Sequence, residues 1–157
     1  MNRVAIGLGS NLGDREAHLA FAVDRLRDFL TALRVSSWRE TEPVDVEPQP
    51  QFLNGAVTGE TRLTPLDLLQ RLMEIERERG RVRLRGGAAR TLDLDLILYE
   101  HEIIDRPGLR VPHPRFRERM FVLEPLAEIA GTWIDPETGR TIDDLLSAKR
   151  LKARGRA

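Results

Sequence analysis

The sequence predicts an α+β fold: an antiparallel sheet of the split β-α-β kind, with helices packed on it and a C-terminal appendage. Two observations carry this. Two stretches repeat their apolar residues at helical spacing, and each is flanked by short runs with the period-two alternation or β-branched content of strands. The order along the chain is then β-α-β-β-α-β followed by further helix, which is the ferredoxin-like arrangement. At 157 residues the chain is read as one domain, 1–157, long enough to bury a core.

The elements follow in order. Val4-Ala5-Ile6-Gly7-Leu8-Gly9-Ser10 reads as a first strand entering a turn. Asp14 is a good N-cap, and Leu19, Val23, Leu26, Leu30 and Leu33 then recur at steps of four and three, predicting a helix over 14–33. Gly9-Ser10-Asn11 lacks the Lys and Ser/Thr of a phosphate loop and no GxGxxG occurs, so by itself it is a tight turn. Residues 35–40 form a second strand containing Trp38. Pro43, Pro48 and Pro50 keep 41–51 a loop. Residues 52–61 form a third strand, with Phe52, Asn54, Ala56 and Thr58 on one face. A ring and a carboxamide two residues apart can hold a flat heterocycle; a core phenylalanine and a turn-facing asparagine explain the pair equally well.

Thr64 as N-cap, Pro65 at the first helical position and Gly80 as terminator bound a second helix at 64–79, with Leu66, Leu69, Leu72, Met73, Ile75 and Glu76 along its stripe. Residues 81–90 hold four arginines and a glycine pair, a loop able to close on a polyphosphate. Residues 91–99 read as a strand in which Asp93 and Asp95 share a face about 6.6 Å apart. Two like charges on an apolar strand call either for a divalent cation such as Mg2+ or for a solvated edge, and spacing alone leaves both open. A turn at 100–102, extended pieces at 103–105 and 109–115, a helix at 117–130 that Pro125 must break or kink, and a short helix near 142–151 with a frayed basic end complete the chain.

Composition narrows the function. The hydrophobic share is 41% and the charged share 32%, with zero net charge, so the chain as a whole is no polyanion binder. Without cysteine there is no disulfide framework or thiol nucleophile, which fits the cytoplasm. No apolar run is long enough to span a bilayer, and no signal-peptide core opens the chain, so no membrane partner is expected. Lys149 and Lys152 are the only lysines; arginine carries the positive charge.

Taken together, Gly9-Ser10-Asn11-Leu12, Thr41 before a proline-rich loop, Phe52-Leu53-Asn54, Gly80-Arg81-Val82-Arg83, Arg90-Thr91-Leu92-Asp93-Leu94-Asp95, and Val111-Pro112-His113-Pro114 followed by Arg119 and Phe121 resemble the 6-hydroxymethyl-7,8-dihydropterin pyrophosphokinases of folate biosynthesis. The resemblance spans nearly the whole chain, and the Arg-Thr-Leu-Asp-Leu-Asp run and Pro-His-Pro box are its specific motifs. It implies transfer of diphosphate from ATP to the pterin hydroxymethyl group, giving AMP. It assigns two Mg2+ ions to Asp93 and Asp95, and the pterin to Thr41, Val44, Phe52, Asn54 and Phe121. The nucleotide falls to Glu76, Arg90, Arg110, His113 and Arg119, and catalysis to Arg81, Arg83 and Arg90. A monomer without nucleic-acid partners is expected. The family's Trp-Gly-Pro before the last of these arginines is Gly87-Ala88-Ala89 here, which bears on loop closure and turnover rate. An RNA-recognition module shares the topology but displays stacking aromatics where this chain has acids. A catalytically idle ligand-binding relative is the other alternative, and formation of AMP separates it from an enzyme.

Overall fold

A computed structural model describes residues 1–41, 51–80 and 91–155. Val44, Arg81, Arg83 and Arg90 lie outside the described residues, as does the side chain of Thr41. The elements are β1 (Asn2–Ser10), α1 (Arg15–Leu26), β2 (Thr31–Val35), β3 (Arg39–Thr41), β4 (Phe52–Thr61), α2 (Pro65–Glu78), β5 (Asp93–Tyr99), β6 (Ile104–Arg106), β7 (Leu109–Val111), a 3₁₀ turn at Phe116–Glu118, α3 (Met120–Ala130) and α4 (Ile142–Arg154). The sheet runs β2-β4-β1-β5 with β3 also on β4, all antiparallel, and β6-β7 is a separate hairpin. This is the expected split β-α-β sheet.

Both expected N-caps form: the Asp14 carboxylate accepts from Ala17 N at 3.1 Å and Thr64 Oγ1 from Asp67 N at 3.2 Å. Gly80 ends α2 with φ +77°, a conformation that strains other residues. Other boundaries moved. The first helix stops at Leu26 instead of reaching 33, because Thr31–Val35 pair with β4 and the ladder overrides the helical spacing of Leu30 and Leu33. The predicted 35–40 strand is two strands interrupted at Ser36, whose N–H donates to the Ala56 carbonyl and whose hydroxyl accepts from Ala56 N at 2.8 Å. On α2 the buried stripe is Leu68, Leu72, Ile75 and Glu76, while Leu66 is 52% exposed. The predicted 117–130 helix is divided by the extended Arg119, not at Pro125, around which α3 continues. Finally, α4 extends past 151 to Arg154.

Helices cover both faces of the sheet. Val4, Ile6, Leu8, Leu53, Val57, Leu94 and Leu96 pack with α1 and α2. The C-terminal appendage covers the other face, where Ala5, Ala56, Ile97 and Leu98 meet α3 and α4. A bulge at Ala5/Ile6 against Leu96–Leu98 re-phases β5, so that Ile97 and Leu98 both serve this second core. Among the described residues no helix is long and apolar enough to cross a membrane.

Candidate active site

The site occupies the end of the sheet where the second core stops. Register sets its width. Gly9 of β1 pairs with Asn54 on one side and Asp93 on the other, and Gly7 pairs with Ala56 and Asp95. Directly opposed residues share a face, so Asn54, Gly9, Gly7, Asp93 and Asp95 project together, with Phe52 two residues before Asn54. Phe52 with Asn54, and Asp93 with Asp95, share faces as the alternation predicts, and the pairing of β4 and β5 on either side of β1 brings the two pairs together.

The glycines form the floor. A Cβ on Gly9 would stand 2.7 Å from Asn54 Oδ1 and 3.6 Å from the Phe52 ring, and one on Gly7 would touch Ile97 at 3.5 Å. Bare backbone therefore lets the Asn54 carboxamide lie across β1. Asn54 is 6% exposed, whereas Asp93 and Asp95 are half-buried and open outward.

The segment after β7 borders this floor. The Val111–Pro112 peptide is cis, and the next residue, His113, donates its backbone N–H to the Ile97 carbonyl at 3.0 Å, tying the segment to β5. Its Nδ1 accepts from Arg115 N at 3.2 Å. Burial, then the neighbouring Arg119 and Arg115 charges, pull the His113 pKa below its ordinary value against the opposing pull of Asp93. The lowered pKa favours the neutral imidazole. Arg119 stands 5.6 Å from the centre of the Phe121 ring, which leans on the second core from the start of α3.

A cleft of about 690 Å³ runs from Asp95 and His113 along the outer edge of β5, between Leu69 of α2 and the β6–β7 hairpin. Arg110 lines it, paired with Asp105 at 3.0 Å where both are exposed. Glu76 sits differently: it is 6% exposed on the inner face of α2, and its Oε2 accepts from Leu94 N at 2.8 Å. Gly7 and Gly9 were not singled out by sequence reasoning as site residues. Their shared parity within an apolar strand was the available signal.

Among the described residues no cluster of three or more metal-ligating side chains occurs. The donor set that does exist, two carboxylates on one strand face with Asp95 lining the cleft, fits Mg2+, which takes one or two protein carboxylates and completes its shell with phosphates and water.

The family model described as 7,8-dihydro-6-hydroxymethylpterin-pyrophosphokinase matches residues 5–131. A Bacillus subtilis protein named 2-amino-4-hydroxy-6-hydroxymethyldihydropteridine pyrophosphokinase is 51% identical over 132 residues, covering 82% of this chain and 79% of that one. A Pseudomonas aeruginosa protein of the same name is 39% identical over 150 residues, covering 94% and 92%. A solved Plasmodium falciparum HPPK-DHPS structure superposes over 98% of this chain with a TM-score of 0.77. At 15% identity it speaks to the fold alone, and the chain spans only 46% of that longer protein. On the family model and these relatives, the chain belongs to the 7,8-dihydro-6-hydroxymethylpterin-pyrophosphokinase family.

Proposed function

We propose that the chain, acting as one catalytic domain and a cytoplasmic monomer, transfers diphosphate from ATP to the hydroxymethyl oxygen of 6-hydroxymethyl-7,8-dihydropterin in a Mg2+-dependent reaction of folate biosynthesis. The observation that carries the reading is the rung Asn54–Gly9–Asp93. It sets a heterocycle-binding carboxamide and a metal-binding carboxylate two strand spacings apart, about 10 Å, across a floor without side chains.

The pterin lies between Phe52 and Phe121, its polar edge read by Asn54 and by backbone near Thr41 and Val44. Its hydroxymethyl group then points along the floor toward Asp93. ATP occupies the cleft beside Arg110, with its phosphates directed at His113, Arg119 and Arg90, and Glu76 stands on the nucleotide side without lining the cleft. The pterin oxygen attacks the β-phosphorus, the bond from that phosphorus to the α-phosphate oxygen breaks, AMP departs and the hydroxyl proton passes to solvent. Asp93 and Asp95 would hold two Mg2+ ions, which would supply charge neutralisation for the triphosphate and polarisation of the β-phosphorus. Phosphoryl transfer needs positioning and charge neutralisation more than a protein nucleophile, which suits this residue set. His113 donates a hydrogen bond from Nε2, while Arg81, Arg83 and Arg90 supply charge that strengthens against the transition state.

The test is incubation of the pure protein with ATP, Mg2+ and the hydroxymethylpterin, followed by phosphorus NMR. AMP and a pterin diphosphate are expected in equal amounts. ADP in place of AMP, or no turnover at saturating substrates, would sink the reading.

A further inference from the structure

We infer that Glu76 is a positioning residue that sets the two carboxylates of β5 by holding the outer edge of the strand between them. The inference rests on the reaction proposed above and changes the way Glu76 serves the nucleotide side, from contact to geometry.

Among the described residues the sheet ends at β5, which has β1 as its neighbour on one side and no described strand on the other. In an antiparallel ladder, residues present their N–H alternately toward the partner and away from it. Leu94 N–H goes to Glu76 Oε2 at 2.8 Å, so it is the amide that faces away. The amides of Asp93 and Asp95, one residue to either side, therefore face Gly9 and Gly7 of β1. Three consecutive residues are held from both edges: the two acids by the glycine strand, the leucine between them by a side chain.

That side chain is well fixed. Glu76 is 6% exposed on the buried stripe of α2, beside Leu72 and Ile75, and the Leu94 side chain packs into the same core at 5% exposure. A buried amide without a partner is costly, so an edge strand at this depth needs an acceptor. Supplied by a rigid helix at Leu94, it also fixes the twist from Asp93 to Asp95 and with it the separation of their carboxylates. A metal ion shared by two carboxylates tolerates little variation there, and Mg2+ demands near-ideal geometry. The pterin side, Phe52, Asn54 and Phe121, is anchored on β4 and α3 and does not depend on this bond.

The experiment uses the full chain, with Mn2+ and α,β-methylene-ATP as probes in calorimetry, hydroxymethylpterin binding at saturating nucleotide, and amide hydrogen exchange at Leu94. Glu76→Ala is expected to weaken Mn2+–nucleotide binding roughly tenfold, as losses behind a metal ligand do. It should speed exchange at Leu94 by about the same factor and leave pterin affinity within about twofold. Glu76→Gln keeps a side-chain oxygen acceptor and should recover most of both losses. If the alanine chain does not fold, Glu76→Asp, too short to reach Leu94, carries the same expectation. Unchanged Leu94 exchange, equal weakening of both ligands, or a glutamine variant as impaired as alanine would overturn the positioning role. Wild-type protein that binds Mn2+–nucleotide yet forms no AMP would instead defeat the proposed reaction, and the variant pattern would still decide Glu76.

Discussion

Gly9 shows how much chemistry an absent side chain can carry. Its hypothetical Cβ lies 2.7 Å from Asn54 Oδ1, well inside contact distance, so Gly9→Ala must push the carboxamide off the floor. Losing one hydrogen bond to the heterocycle costs roughly 0.5–1.5 kcal/mol. Calorimetry should accordingly show up to about tenfold weaker pterin binding with nucleotide affinity unchanged. Asp95→Asn tests the other end of the floor. It should leave thermal unfolding as in wild type and cut Mg2+-dependent AMP formation by more than the roughly 10–100-fold that follows loss of a group behind a metal ligand. Unaltered turnover would remove Asp95 from the metal site. The shared face of Asp93 and Asp95 was legible because strand alternation is a local property. The role of Gly9 was not, since it depends on β1 lying between β4 and β5, a pairing no local window contains. The Glu76–Leu94 bond was hidden for the same reason.

At the scale of elements, caps and terminators were readable and tertiary overrides were not. Asp14, Thr64 and Gly80 act within one turn of their own position, and each does what its residue type predicts. The early end of α1 answers to β4, a partner distant in sequence. One inter-helix contact makes a testable pH dependence. Arg79, at the end of α2, donates from Nε to His18 Nδ1 of α1 at 2.8 Å and lies 4.7 Å from the Phe21 ring centre. Burial, then the Arg79 charge, lower the His18 pKa from 6.5, against Asp14, which raises it. A depressed histidine pKa means that the unfolded chain binds the proton more readily. The stabilisation is complete above about pH 6.5, the unfolded value, and is lost as pH falls through the lower folded value. The melting temperature should fall between about pH 7 and 5. His18→Gln retains an acceptor for Arg79 without the titration and should flatten part of that slope. His113 shifts in the same direction and accounts for a remainder. An identical slope in the variant would clear His18 of the effect.

The whole molecule is a sheet between two helical layers, and the layer on the functional face is the one furthest along the chain. The β-α-β-β-α-β order was legible from periodicity. That the appendage would close the second face was not, because nothing local says which side of a sheet a late helix meets. One polar pin joins the appendage to the site segment. Arg117, in the turn between His113 and Phe121, donates to Asp135 through Nε at 2.5 Å and Nη2 at 2.8 Å, over the buried Phe116 ring. Asp135 is fully buried and also accepts from Glu137 N and Thr138 Oγ1. Burial alone raises its pKa, but the Arg117 pair and these donors outweigh it and hold the carboxyl below the usual range. Removing one member of such a pair strands a buried charge, at a cost of about 3–5 kcal/mol, whereas replacing both with apolar groups is often near neutral. Arg117→Ala should therefore lower the unfolding free energy in urea by about 3–5 kcal/mol. The double change Arg117→Met with Asp135→Leu should recover most of that loss. If the single variant unfolds like wild type, the pair is no pin, and the hydrophobic contacts of α3 and α4 alone set the path from His113 to Phe121.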